Sequence, residues 1–178
     1  MYFCPMKKLI TLSLSALFLL SCNNSAETLM SEKQLGALQS TDSIERVADL
    51  FGSDSIAYER LGTGEIVGLS VFNSVQKKRF QLKANIDQHI EIVQVFDSIF
   101  QTQKGIGVGK TVGDLKKVYT IDQVLSSFKS ISIYVKESPL LFLFDRSELP
   151  ENIKYGFDPI DAVQLPSEAV INQVIISW

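Results

Sequence analysis

Apolar and polar positions along the chain fall into two blocks with the same order of elements. In "LGALQSTDSIERVADLFG", residues 35–52, a polar cluster is followed by Ile44, Val47, Ala48 and Phe51 at helical spacing, and Gly52 stops the run. Three segments of strand character come next: "EIVGLSVF" (65–72), "RFQLKA" (79–84) and "IEIVQVF" (90–96). In the second block Val112, Leu115, Val118 and Tyr119 form one helical stripe with Lys116 and Lys117 outside it. The strands that follow are "SISIYVK" (130–136), "LLFLF" (140–144) and "AVINQVIIS" (169–177). "LLFLF" alternates poorly, as a strand covered on both faces does. A shift of 71 residues lays Gly36 on Gly107, Ser40 on Thr111, Ile44 on Leu115 and Val47 on Val118. The pattern predicts an α+β protein of two similar helix-plus-three-strand halves, residues 33–100 and 101–178, forming a mainly antiparallel sheet with its helices on one face.

The glycine-rich stretch "KGIGVGKTVGDLKKVY" (104–119) invites comparison with a phosphate-binding loop. That loop reads G-x-x-x-x-G-K-[ST], so Gly109-Lys110-Thr111 would need a glycine at 104, where the chain has Lys104. One residue fewer changes the curvature of the loop. The even spacing of Gly105, Gly107 and Gly109 also departs from the dinucleotide pattern G-x-G-x-x-G. What the stretch fits is a helix entry: Thr111 and Asp114 stand as an acidic variant of the capping box, with glycines supplying tight backbone ahead of it. No nucleotide is expected there.

The beginning of the chain changes the picture most. From Met6, "MKKLITLSLSALFLLSC" has two lysines, an uncharged run from Leu9 to Leu20, and a small residue before Cys22, the anatomy of an export signal. The apolar run is shorter than the roughly 20 residues a membrane-spanning helix needs. Met1 and Met6 both remain open as the start. All 20 acidic residues lie beyond Cys22, against 15 of the 17 basic ones, which gives the processed chain a formal charge of −5. An acidic body without clustered Lys and Arg is a poor nucleic-acid partner; the nearest basic run, "QKKRF" (76–80), reads as a turn and an edge-strand guard. Cys4 and Cys22 are the only cysteines, so a processed body has neither disulfide nor thiolate metal site.

Several resemblances follow from these residues. "LLSC" resembles the lipobox of bacterial lipoproteins; this implies that residues 1–21 are removed, that Cys22 carries lipid, and that residues 22–32 are a polar tether. The tandem α-β-β-β order with a glycine and a Ser or Thr before each helix resembles the fold of the β-lactamase inhibitory protein and is similar to the SmpA/OmlA-type envelope lipoproteins. Residues 104–119 also resemble a motif of uncharacterised envelope lipoproteins, K-G-I-G-V-G-x-T-x-x-D-L. The resemblances imply a lipid-anchored protein of the cell envelope, at the outer membrane facing the periplasm and bound to the membrane through Cys22. The architecture, with helices on one sheet face and the other free, leads us to expect another envelope protein as the partner of the body.

The chemistry of single residues adds little. His89 sits in the polar turn "NIDQH", without a nucleophile and acid in evident register. Glu65 and Asp145 are carboxylates that nothing in the sequence brings together, and "GSDS" (52–55) reads as a turn rather than a cation loop. Neither a cofactor nor a metal site is expected, and the reading is non-catalytic. The candidate binding surface is the outward side of the second-half strands: Tyr134 and Lys136 on "SISIYVK" with Leu141 and Leu143 on the next strand, unless the long segment 146–168 covers them. That segment, with three of the five prolines and with Tyr155, is expected to be a lid or recognition loop. Two alternatives stay open: a small-ligand or glycan binder with a pocket beneath 146–168, and an unrecognised hydrolase.

Overall fold

The computed structural model describes residues 25–156 and 158–178. The expected export signal and Cys22 lie outside the described residues.

A helical turn, α1 (Ser25–Thr28), leads into a small hairpin of β1 (Gln34–Leu35) and β2 (Leu38–Gln39) and then α2 (Arg46–Leu50). Four antiparallel strands follow: β3 (Ser55–Arg60), β4 (Ile66–Phe72), β5 (Lys78–Ala84) and β6 (Ile90–Val95). The second half repeats the order with α3 (Val112–Val118), β7 (Ile121–Ser126), β8 (Ser130–Val135), β9 (Ser138–Asp145) and β10 (Ile171–Ser177), and a short α4 (Glu151–Lys154) stands between the last two strands. The eight strands make one antiparallel sheet in the order β3-β4-β5-β6-β10-β9-β8-β7. Each half is thus a four-stranded meander, and the halves meet at β6 and β10.

Each helix is therefore followed by four strands rather than the expected three. The strands missing from the sequence reading are β3 and β7, the two edges of the sheet. Most of their residues are exposed, so their apolar signal is weak: Ile56 on β3 and Ile121 and Val124 on β7 are only half-buried. The remaining strands fall where alternation placed them.

Register shows how the chain sorts its side chains. One row crosses the whole sheet as Ile56, Val71, Phe80, Val95, Val174, Phe142, Ile133 and Val124, all apolar and facing the core. The next row, one residue along each strand, runs Ala57, Ser70, Gln81, Gln94, Ile175, Leu141, Tyr134 and Gln123 on the opposite face. A side-chain period of two makes the two faces complementary in character. Burying one large side chain of the inner row stabilises the fold by about 1.5–3 kcal/mol.

Helices and loops cover the inner face. Val47 and Phe51 of the first block and Val112, Leu115 and Tyr119 of the second join the same core, with Tyr119 against Phe142 at 5.8 Å. Val118 does not: it is 37 % exposed, whereas Val47, its counterpart under the 71-residue shift, is fully buried. α3 carries its core stripe at Val112, Leu115 and Tyr119 alone. Met30 is buried and its N–H donates to the carbonyl of Gln101, so the body begins before residue 33. Trp178 packs against the core edge, as alternation with Val174 and Ile176 suggests.

The basic run 76–80 takes a role the sequence does not suggest. β5 is an interior strand, so "QKKRF" guards no edge. Gln76 forms the turn at φ 60, and Lys78 lies over the rings of Phe72 and Phe96 on the outer face. Arg79 folds inward. It pairs with Asp54 and Asp97 and lies over Phe51 and Phe100, which flank Phe80 edge-on at 4.9 and 6.0 Å.

Segment 146–168 is not a free lid. Leu149, Ile160 and Leu165 are core residues, and Lys116 of α3 donates its Nζ to the Leu165 carbonyl. These contacts put that part of the segment on the helix side of the sheet.

Candidate functional site

The glycine-rich loop is the first place to look for a ligand, and its polar groups are committed to the fold. Gly105 donates to the Thr102 carbonyl, Ile106 to Thr102 Oγ1, Gly109 to the Ile171 carbonyl and Lys110 to the Gly107 carbonyl. A phosphate-binding loop points such amides at an anion instead. The Lys104 ammonium donates to the Val118 carbonyl and lies 4.3 Å from the Tyr119 ring centroid. Gly107 lies so close to the backbone before it that a Cβ there would sit 2.3 Å from the Phe100 carbonyl oxygen. Gly36, its partner under the 71-residue shift, has φ +59, and a Cβ there would sit 2.6 Å from the Glu27 carbonyl oxygen and 3.3 Å from the ring of the same Phe100. The two glycines flank one aromatic residue, which gives the faint repeat a packing reason.

The capping box at α3 is present. Thr111 Oγ1 accepts from the Asp114 N–H at 3.1 Å, and the Asp114 carboxylate accepts from the Thr111 N–H. Lys117 Nζ, 2.8 Å away, is the main cause holding the Asp114 pKa at about 2, below its ordinary 3.8, and the Thr111 hydroxyl and amide add to it. A depressed carboxylate pKa contributes stability that is fully present above the ordinary pKa and is lost as pH falls through the folded-state value. The gap in melting temperature between wild type and Asp114→Asn is therefore expected to hold constant near neutrality and to close between about pH 4 and pH 2. Thermal melts across that range check it; a gap unchanged at the acid end would remove the carboxylate from the stability of α3.

The outer face of the sheet is the larger candidate. Val47 and Leu50 of α2, Val112 and Leu115 of α3 and Ile153 of α4 pack with the core on the inner side, so none of these three helices covers the outer face. Tyr134 is directly opposite Leu141, and Leu141 opposite Ile175. Leu143 is opposite Ser132 and Gln173, and Leu125 opposite Ser132. Tyr134 and Leu125 are exposed at 37 % and 43 %, Leu141 and Ile175 are half-buried, and Leu143 is buried. The row changes character at the joint of the halves: Ser70, Gln81 and Gln94 on one side, Ile175, Leu141 and Tyr134 on the other.

Three of the five expected surface residues thus come together: Tyr134, Leu141 and Leu143. Lys136 is exposed in the turn past the end of β8, its N–H donating to the Thr120 carbonyl. Tyr155 is elsewhere, beside the β7–β8 hairpin at the far end of β8. Sequence reading missed Ile175 and Leu125. Ile175 is hidden because a register shift between Ile171 and Gln173 breaks the alternation of β10; Leu125 is on an edge strand that gave no pattern.

The carboxylates raised as a catalytic pair stay apart. Glu65 precedes β4 and Asp145 ends β9, four strand spacings away, roughly 19 Å across the sheet. His89 is exposed in the 85–89 turn, where its N–H donates to Asn85 Oδ1. Among the described residues no three His, Cys, Asp or Glu side chains cluster as metal ligands, and no helix is long and apolar enough to cross a membrane.

Fold and site together define an α+β protein with a mostly antiparallel sheet, few helices and one sheet face left open. No family model matches the chain, and no curated protein matches it. Among solved structures it is similar to the crystal structure of the uncharacterized protein yfeY from Escherichia coli, at 17 % identity and a TM-score of 0.61, over 85 % of this chain and 100 % of that one. At that identity the likeness concerns the fold alone.

Proposed function

We propose that the chain is an exported lipoprotein, anchored through lipid on Cys22 at the outer membrane and facing the periplasm, whose body is a non-catalytic module that binds another envelope protein. The observation that carries this reading is the open apolar half-face of Tyr134, Leu141, Ile175 and Leu125 on a sheet whose other face holds the core. Tyr134 stands where the apolar positions Leu141 and Ile175 give way to Gln123, and an exposed Tyr beside apolar surface is a usual interface anchor. The lipobox-like "LLSC" supports the anchoring. The two meanders, each with its helix on the same face, support a likeness to the β-lactamase inhibitory protein and to the SmpA/OmlA-type lipoproteins.

The test is a photo-crosslinking residue at Tyr134 of the full chain in its own cell envelope. One protein adduct is expected, competed by excess unlabelled protein and lost when Cys22→Ala removes the anchor. Leu141→Asp, next to the probe on the open face, is expected to weaken it about tenfold, equivalent to roughly 1.4 kcal/mol. Adducts that neither compete nor respond to Leu141→Asp would sink the binding module.

A further inference from the structure

At the end of β8 and β9 where Ser130 pairs with Asp145, an open cleft of about 650 Å³ lies between the hairpin turn 126–129 and Lys154–Tyr155. Its volume is in the range of small-molecule sites. Two aromatic side chains line it with most of their surface free: Phe128 is 92 % exposed and Tyr155 is 73 % exposed. An unpaired, nearly fully exposed Phe at a hairpin tip has no role in the core, and the cleft is the surface it contributes to.

The walls are tied together by one residue. Arg146 donates Nε to the Lys154 carbonyl at 2.6 Å and Nη1 to the Ser127 carbonyl at 2.8 Å, and it further bonds Ser126 Oγ and the Gly156 carbonyl. The guanidinium thus joins the hairpin turn to the segment that carries Tyr155, which sets the two rings without any ligand. With four of its five N–H donors on these acceptors, Arg146 is a positioning residue.

The charge that faces a ligand comes from lysines. Lys129 and Lys154 line the cleft against one carboxylate, Asp145, whose charge is turned to the Ser147 N–H at 2.7 Å. Glu151 shares Lys154 at 3.4 Å, and Lys154 Nζ also sits 5.7 Å from the Tyr155 ring centroid. A cationic, aromatic-walled cleft on an acidic body selects against cations and for anions with an apolar part.

We propose that this cleft binds a small apolar monoanion, an aromatic or short-chain aliphatic carboxylic acid, with its apolar part between Phe128 and Tyr155 and its carboxylate on Lys129 and Lys154. The site is independent of the open sheet face: Tyr134 is four residues along β8 from Ser130, about 13 Å away.

Equilibrium dialysis of the full chain in non-ionic detergent, with phenylbutyrate as the probe and phenylbutanol as the neutral analogue, tests it. One saturable site for the acid is expected, with the alcohol at least about tenfold weaker. Phe128→Ala and Lys129→Glu alter exposed side chains and leave the core intact; each is expected to weaken the acid about tenfold or more. Absence of saturable binding overturns the proposal. So does equal binding of acid and alcohol, which would remove the lysines from recognition. Binding that survives both substitutions would place the acid at another site and overturns it as well.

Discussion

Replacing Gly107 by alanine is expected to cost about 3 kcal/mol or more, while the same change at Gly105, two residues away in the same motif, costs about 1–2 kcal/mol. Gly105 has φ +75, where an L-residue is strained, but its Cβ would enter open space. Gly107 has no left-handed backbone; its Cβ would instead lie 2.3 Å from the carbonyl oxygen of Phe100, a backbone atom that cannot rotate away. Relief requires separating the bridge between Gln101 and Gly107. That bridge adjoins Met30 and Phe100, both buried in the core. Denaturant melts of the two variants decide it. If Gly105→Ala proves the costlier change, backbone conformation rather than crowding explains the motif.

The second large effect is expected at Arg79. Its guanidinium sits between Asp54 and Asp97, with side-chain exposures of 18 % for Arg79 and 13 % and 23 % for the two acids. Removing one partner of a buried ion pair costs about 3–5 kcal/mol because the other charge is left without compensation. Partial solvent access at all three residues discounts that here, to roughly 2–4 kcal/mol for Arg79→Met. The sign of the explanation can be tested separately from its size. If stranded carboxylates cause the loss, adding Asp54→Asn and Asp97→Asn to Arg79→Met recovers a large part of it. If the triple variant is no more stable than the single one, packing over Phe51 and Phe100 carries the effect, and the ion pairs contribute little.

Legibility of this fold in the sequence followed burial. β5 and β8 alternate cleanly because one face of each is core and the other is polar, and their positions could be read from "RFQLKA" and "SISIYVK". The capping box at Thr111 and Asp114 was legible because it is local, completed by residues three apart. β3 and β7 were not legible, since an edge strand with few buried side chains leaves little periodicity. Nor was the place of Arg79: a basic run looks the same whether a lysine points out or an arginine folds onto two acids 18 and 25 residues away in sequence. At the open face, Tyr134 and Leu141 could be read from alternation. Ile175, which completes their row, could not, because its neighbourhood depends on a register shift and on which strand β10 pairs with.

That pairing has a consequence for how the protein is made. β10, the last strand in sequence, is not at a margin of the sheet but at its middle, between β6 and β9. Its partner Val95 precedes Val174 by 79 residues, so the contact closes a long loop late in folding. Until it forms, the nascent chain holds two separate meanders, each with β6 or β9 as a bare hydrogen-bonding margin flanked by apolar side chains. Such margins pair with whatever strand they meet, which exposes the incomplete chain to aggregation. A molecule of this topology gains from having its first half shielded until the last seven strand residues, Ile171–Ser177, have been delivered.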